Sequence, residues 1–141
     1  MNIFYDFLDS NKNYDRLRDS IKENKTPVLA TGVVDGQKTH LIAGITNDVH
    51  KSNLVITHSE LKAKEIYNDL KFFLKDKVVL YPAKDIIFYW ADVKSMDIIK
   101  ERFNIISRLI NNEEITVVVT VEALFDRLVP KKYFLKTLFL I

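Results

Sequence analysis

"TGVVDGQKTHLIAG", Thr31 to Gly44, is the stretch whose reading decides the fold. Gly32 is followed by Lys38 and Thr39 at the interval of the nucleotide-binding loop G-x-x-x-x-G-K-[ST], with Gln37 where the second glycine belongs. Such a loop turns its backbone amides inward to cradle phosphates, and glycine stands before the lysine because a side chain there collides with the phosphate or forbids the backbone angle. A non-glycine residue held in a left-handed conformation costs roughly 1–2 kcal/mol. Asp35 adds a carboxylate close to where phosphate charge sits, and like charges repel. The loop is therefore altered at Asp35 and Gln37. Lys38 and Thr39 have two readings: phosphate and Mg²⁺ contacts, or solvated residues at the start of a helix.

Elements on either side fit a strand, loop and helix unit. "PVLATG" is a short apolar run ending in Gly32 and predicts a strand, and Leu41, Ile42, Ile45 and Val49 at helical spacing predict a helix over 38–51. The pattern recurs. "NLVIT" (Asn53 to Thr57) predicts a strand, and "SELKAKEIYNDLKFFLKD" a helix with Leu61, Ile66, Leu70, Phe73 and Leu74 mostly on one face, capped by Ser59. "KVVLY" is a third strand, stopped by Pro82. A helix over 95–111 is expected to bury Ile98, Ile99, Phe103, Ile106, Leu109 and Ile110. "ITVVVT" (Ile115 to Thr120) is β-branched almost throughout, as a strand covered on both faces should be. "VEALFDRL" is a short helix, and the closing "TLFLI" reads as one more strand. The order implies an α/β fold of P-loop or RecA-like type, with a mostly parallel sheet, helices on both faces and ligand sites at the carboxyl ends of strands.

Three segments follow: N-terminal helices over 1–25, built on Ile3, Phe4, Phe7, Leu8, Tyr14, Leu17 and Ile21; a degenerate P-loop α/β domain over 26–136; and the start of a further segment over 137–141. Ending on an apolar run predicts a fragment of a longer protein. The 141 residues, 48% hydrophobic, suit one compact core. No leader and no apolar run near the ~20 residues of a membrane span are present in the sequence, so a soluble, cytoplasmic protein is expected. With no cysteine and three scattered histidines (His40, His50, His58), no metal site is expected. A formal charge of +2 permits nucleic acid binding without arguing for it. Nucleotide hydrolysis needs a carboxylate at a strand end to hold Mg²⁺. Here Thr57 is followed by His58 and Ser59, and Glu122 lies two places beyond Thr120, where it suits the first turn of a helix. No catalytic residue is expected.

From "NLVITHSELKAKEIYNDLKFFLKDKVVLYPAKDI" through "MDIIKERFNIISRLINNEEITVVVTVEALFDRLVPKKYF", the chain resembles the amino-terminal region of the bacterial transcription-repair coupling factor family, Mfd. "VITHS", "YNDLKFFL", "VLYPAKDI" and "VVVTVEALFDRL" carry the resemblance by their order and spacing across some hundred residues. That region is similar to the first domain of the excision-repair protein UvrB, where the glycine loop is intact and binds ATP. In the Mfd family the loop is degenerate, which agrees with Asp35 and Gln37, so the resemblance implies a vestigial site at Gly32, Lys38 and Thr39. The stretch from Tyr81 to Lys94 lacks the long tyrosine-rich hairpin with which UvrB probes DNA. The resemblance further implies transcription-coupled nucleotide excision repair. The full-length parent would be an ATP-dependent double-stranded DNA translocase that recognises stalled RNA polymerase and recruits UvrA, mainly through the following domain. ATP and Mg²⁺ would belong to the parent's motor, and this chain would need no cofactor.

Three other features have competing readings. Thr57, His58 and Ser59, between a strand end and a helix start, form either a capping cluster or a contact for a DNA phosphate. "DIIFYWADV", with Ile86, Ile87, Phe88, Tyr89 and Trp90, stacks on bases, docks on a neighbouring domain or covers a sheet edge. Lys62, Lys64, Lys71, Lys75 and Lys77 alternate with Glu60, Glu65, Asp69 and Asp76, the mixed charge of a solvated helix face rather than a DNA-binding stripe.

Overall fold

The computed structural model describes residues 8, 10–83 and 92–138. Ile3, Phe4 and Phe7, the aromatic run 86–90 and the last three residues of "TLFLI" lie outside that set. Helix α1 (Lys12–Lys22) is capped by Asn11, whose side chain accepts from the Asn13 amide at 2.9 Å. Helix α2 (Asp35–Val49) leads to β1 (Asn53–Thr57), α3 (Glu60–Leu74), a single 3₁₀ turn (Lys75–Lys77) and β2 (Val78–Tyr81). Then come α4 (Asp92–Ile110), β3 (Thr116–Thr120), the one-turn α5 (Val121–Leu124) and α6 (Lys131–Leu138).

The sheet is parallel, in the order β1-β3-β2, with Leu54 opposite Val117 and Val79 opposite the same residue from the other side. Every residue of β3 is buried, because each face of this central strand meets helices. On one face Val118 and Val78 pack with Ala63, Leu70 and Leu74 of α3 and Ala43 of α2. On the other, Val117 and Val119 pack with Ile105 of α4, Tyr81, Ile115 and Ala123. A fully enclosed side chain such as Leu70 stabilises by about 1.5–3 kcal/mol relative to leaving it in water. The amino ends of the strands are joined by polar bonds: Asn53 Nδ2 donates to Thr46 Oγ1 at 2.9 Å, and Thr46 Oγ1 lies 3.4 Å from Thr116 Oγ1.

The expected α/β architecture with helices on both faces is present, with four departures. The apolar run 27–32 forms no strand: it pairs with nothing in the sheet, and Leu29 is 85% exposed. An isolated apolar run has no ladder to satisfy its backbone, so composition alone does not make it a strand. Helix α2 begins at Asp35, three residues before the expected Lys38. In α4 the deepest side chains are Ile105 and Arg102, whereas Ile99 and Leu109 are exposed; in α3, Leu61 is likewise exposed. Finally, Thr137 and Leu138 close a helix where "TLFLI" had suggested a strand. Among the described residues, no helix is long and apolar enough to cross a membrane.

Candidate functional site

The early start of α2 rebuilds the loop. Val34 is its N-cap, and the Val34 carbonyl accepts from the amides of Gln37 (2.9 Å) and Lys38 (3.1 Å). These are the amides that a phosphate cradle aims at its ligand; here they close the first helical turn. Asp35 favours this start because a carboxylate in the first turn meets the positive end of the helix dipole. Gly32 keeps a left-handed backbone (φ 76°), the role for which glycine is suited, but Gln37 lies in the helix and needs no such angle.

The side chains follow. Lys38 Nζ donates to Asp35 Oδ1 at 2.7 Å, and Lys62 Nζ, from α3, reaches Asp35 Oδ2 at 3.4 Å and Glu65 Oε1 at 2.9 Å. The Lys38 ammonium, and after it that of Lys62, holds the Asp35 carboxyl below the usual aspartate range. Thr39 is buried, and its hydroxyl donates back to the Gly36 carbonyl at 3.2 Å. Gly32 and Lys38 line one cleft of about 520 Å³ together with Ala30, Thr31, Leu41 and Ile42, and Thr39 does not reach it. Asp35 was read as a repulsive neighbour of phosphate; it also pairs with Lys38, the lysine at the motif's phosphate-contacting position. The i, i+3 spacing of Asp35 and Lys38 was the signal for that pair, while Lys62 had none.

Thr57, His58 and Ser59 stand where expected, at the carboxyl end of β1, and do not line that cleft. Ser59 caps α3, its hydroxyl accepting from the Lys62 amide at 3.3 Å, Thr57 is buried and His58 is exposed. The capping reading therefore accounts for Ser59. Glu122 lies in the first turn of α5. Among the described residues no group of three or more His, Cys, Asp and Glu side chains could hold a metal ion.

Sequence reasoning missed one cluster altogether. Arg102, 5% exposed, donates from Nε to the Tyr81 hydroxyl at 3.0 Å, and from Nη1 to the Pro82 carbonyl at 3.3 Å and to Asp126 Oδ2 at 2.6 Å. Its guanidinium carbon lies 4.6 Å from the Tyr81 ring centroid. The cluster joins the carboxyl end of β2 to α4 and to the turn after α5.

The parallel sheet with helices on both faces, and α2 beginning at Asp35, define an α/β module. Within that class the chain is a UvrB-like region akin to that of transcription-repair coupling factor. It is 30% identical to the transcription-repair-coupling factor of Bacillus subtilis over 130 residues, 82% of this chain and 11% of that protein. It is 27% identical to UvrABC system protein B of Mycoplasma mycoides over 139 residues, and 25% identical to that of Enterococcus faecalis over 131 residues. The chain spans 21% and 20% of those two proteins. No protein-family model matches the chain. No solved structure matches it significantly.

Proposed function

We propose that this chain is a non-catalytic module of nucleotide excision repair, a UvrB-like scaffold that serves transcription-coupled repair by packing against the rest of a larger factor and supporting UvrA recruitment. Contacts with RNA polymerase and DNA belong, on this reading, to other parts of that factor. The observation that carries the non-catalytic reading is the closed first turn of α2: the Gln37 and Lys38 amides bond to Val34, and the Lys38 side chain bonds to Asp35. A nucleotide would have to break all three bonds before forming its own.

The test is calorimetric titration with ATP and Mg²⁺ of the chain and of a double variant, Asp35→Gly with Gln37→Gly. No heat from the chain but measurable binding by the variant supports a vestigial loop disabled at those two residues. Micromolar binding by the unaltered chain sinks the reading and selects a helicase-like domain that still holds ATP. The cleft beside Gly32 and Lys38 is what keeps that second reading in play. A DNA-contacting role through exposed His58 is separated by salt: phosphate contacts weaken steeply as counterions are added.

A further inference from the structure

We propose that the groove between α4 and the 127–134 segment is a docking site for an acidic amphipathic helix of a partner protein. The groove is a cavity of about 390 Å³ at the carboxyl end of β2, toward the small end of the ~300–1,000 Å³ range of ligand pockets and suited to one or two large apolar side chains. Its floor is aromatic: Phe103 and Phe134 stack with ring centroids 4.2 Å apart. Tyr81 and Arg102 form one wall. The lip is apolar and open to water, with Leu128 58%, Val129 60% and Ile99 52% exposed. Scattered exposed apolar residues need no explanation, but a contiguous lip around an aromatic floor does.

Charge decides the occupant. The Arg102 guanidinium inside the wall is already matched by Asp126. Arg127, which lines the groove, and Lys131, one helical turn before Phe134 on α6, have no ion-pair partner among the described residues. An occupant therefore meets an apolar floor and a cationic rim. A helix laid in a groove presents anchors at i, i+3 or i+4, and carboxylates flanking those anchors would face Arg127 and Lys131. A small fatty anion would satisfy the floor, but its single charge would meet one of the two cations. The inference does not depend on the state of the nucleotide loop.

The test uses the full chain and a fluorescein-labelled peptide of about 15 residues, with Leu and Phe at i and i+4 and glutamate between them. A control peptide carries lysine at every glutamate position. Anisotropy is expected to show the acidic peptide bound at least about tenfold more tightly than the control. Its affinity is expected to fall when Arg127→Glu and Lys131→Glu are combined, to fall with Leu128→Ser and Val129→Ser, and to weaken with added salt. Circular dichroism unchanged from the parent chain shows that these exposed positions leave the fold intact. Equal binding of the two peptides, or an affinity unmoved by Leu128→Ser and Val129→Ser, overturns the proposal. Displacement of the peptide by decanoate at lower concentration than by unlabelled peptide assigns the groove to a fatty anion instead. Dimerisation of the chain that Leu128→Ser abolishes assigns it to a second copy, and either result overturns the proposal too.

Discussion

Lys38 and Asp35 lie within one turn of the same helix, and their side chains meet at 2.7 Å. The lysine at the motif's phosphate-contacting position thus has an anion of its own chain beside it. Both groups are exposed, so the pair contributes little to stability. Its effect is local, on what Lys38 can next bind.

The titration of Asp35 follows from that pair. Its carboxyl is held below the ordinary value of 3.8 by hydrogen bonding to Lys38 first and to Lys62 second. The sign follows: for a carboxyl depressed in the folded state, the stabilisation is complete above the ordinary value and is lost as pH falls through the lower folded value. Carbon-detected NMR of the Asp35 carboxyl should give a midpoint under 3.8, shifted upward by Lys38→Met and less by Lys62→Met. A midpoint at or above the ordinary value would mean that the pair does not form in solution.

Two glycines of α2 should respond oppositely to alanine. At Gly36 an added Cβ meets nothing within 4 Å, so Gly36→Ala is expected to stabilise by up to ~0.5–1 kcal/mol through helix propensity. At Gly44 the same atom would lie 2.6 Å from Leu8 Cδ1 and 2.8 Å from the Tyr14 hydroxyl, which donates to Asp48 Oδ2 at 2.9 Å. The propensity gain there is outweighed by overpacking of about 1–3 kcal/mol. Urea melts should rank Gly36→Ala above the parent chain and Gly44→Ala below it, with earlier proteolysis of α1 in the second. The reverse order would show that α1 does not pack on Gly44.

How much of this was legible in the sequence depended on whether the deciding interaction was local. Strand β1 has the bounds that "NLVIT" suggested, and Ser59 caps α3, because alternation and capping act between near neighbours. The apolar run 27–32 was misread because a strand is made by its partners, and none pairs with it here. Helix α2 was started too late because Asp35 was weighed only against a phosphate and not as a first-turn residue paired to Lys38. Arg102 was marked only as the first residue of an R-x-x-x-I-x-x-L pattern carrying the resemblance: apolar periodicity counts arginine as polar, and nothing in the chain between Tyr81 and Asp126 announces that the three meet. Asp35 and Gln37 could be marked from the motif spacing alone, whereas the buried cluster needed the fold.

The open edge of β1 carries the next prediction. No strand pairs with its outer side among the described residues, and Leu54 and Ile56 are each 54% exposed. An unpaired apolar edge is a template for association, and one lysine pointing out from it is a common deterrent. Ile56→Lys should leave stability within ~0.5 kcal/mol, as for other exposed substitutions, and lower concentration-dependent association in sedimentation velocity. Unchanged association would place any self-contact elsewhere.

Arg102 and Asp126 should be unequal partners. The arginine side chain is 6% exposed and the aspartate 28%, so each deletion leaves its partner in a different setting. Asp126→Ala strands a cation in the interior, where a lost partner costs on the order of 3 kcal/mol. Arg102→Met keeps much of the apolar stem in place and leaves an aspartate that water can reach. It forfeits the bonds to Tyr81 and Pro82, at about 1 kcal/mol each before relaxation. Chemical denaturation should therefore find Asp126→Ala the more damaging, and the double variant less damaging than the sum, because the second deletion removes the charge that the first exposed. If Arg102→Met proved worse, the Tyr81 contacts would outweigh the ion pair, and the cluster would owe its place to stacking rather than charge.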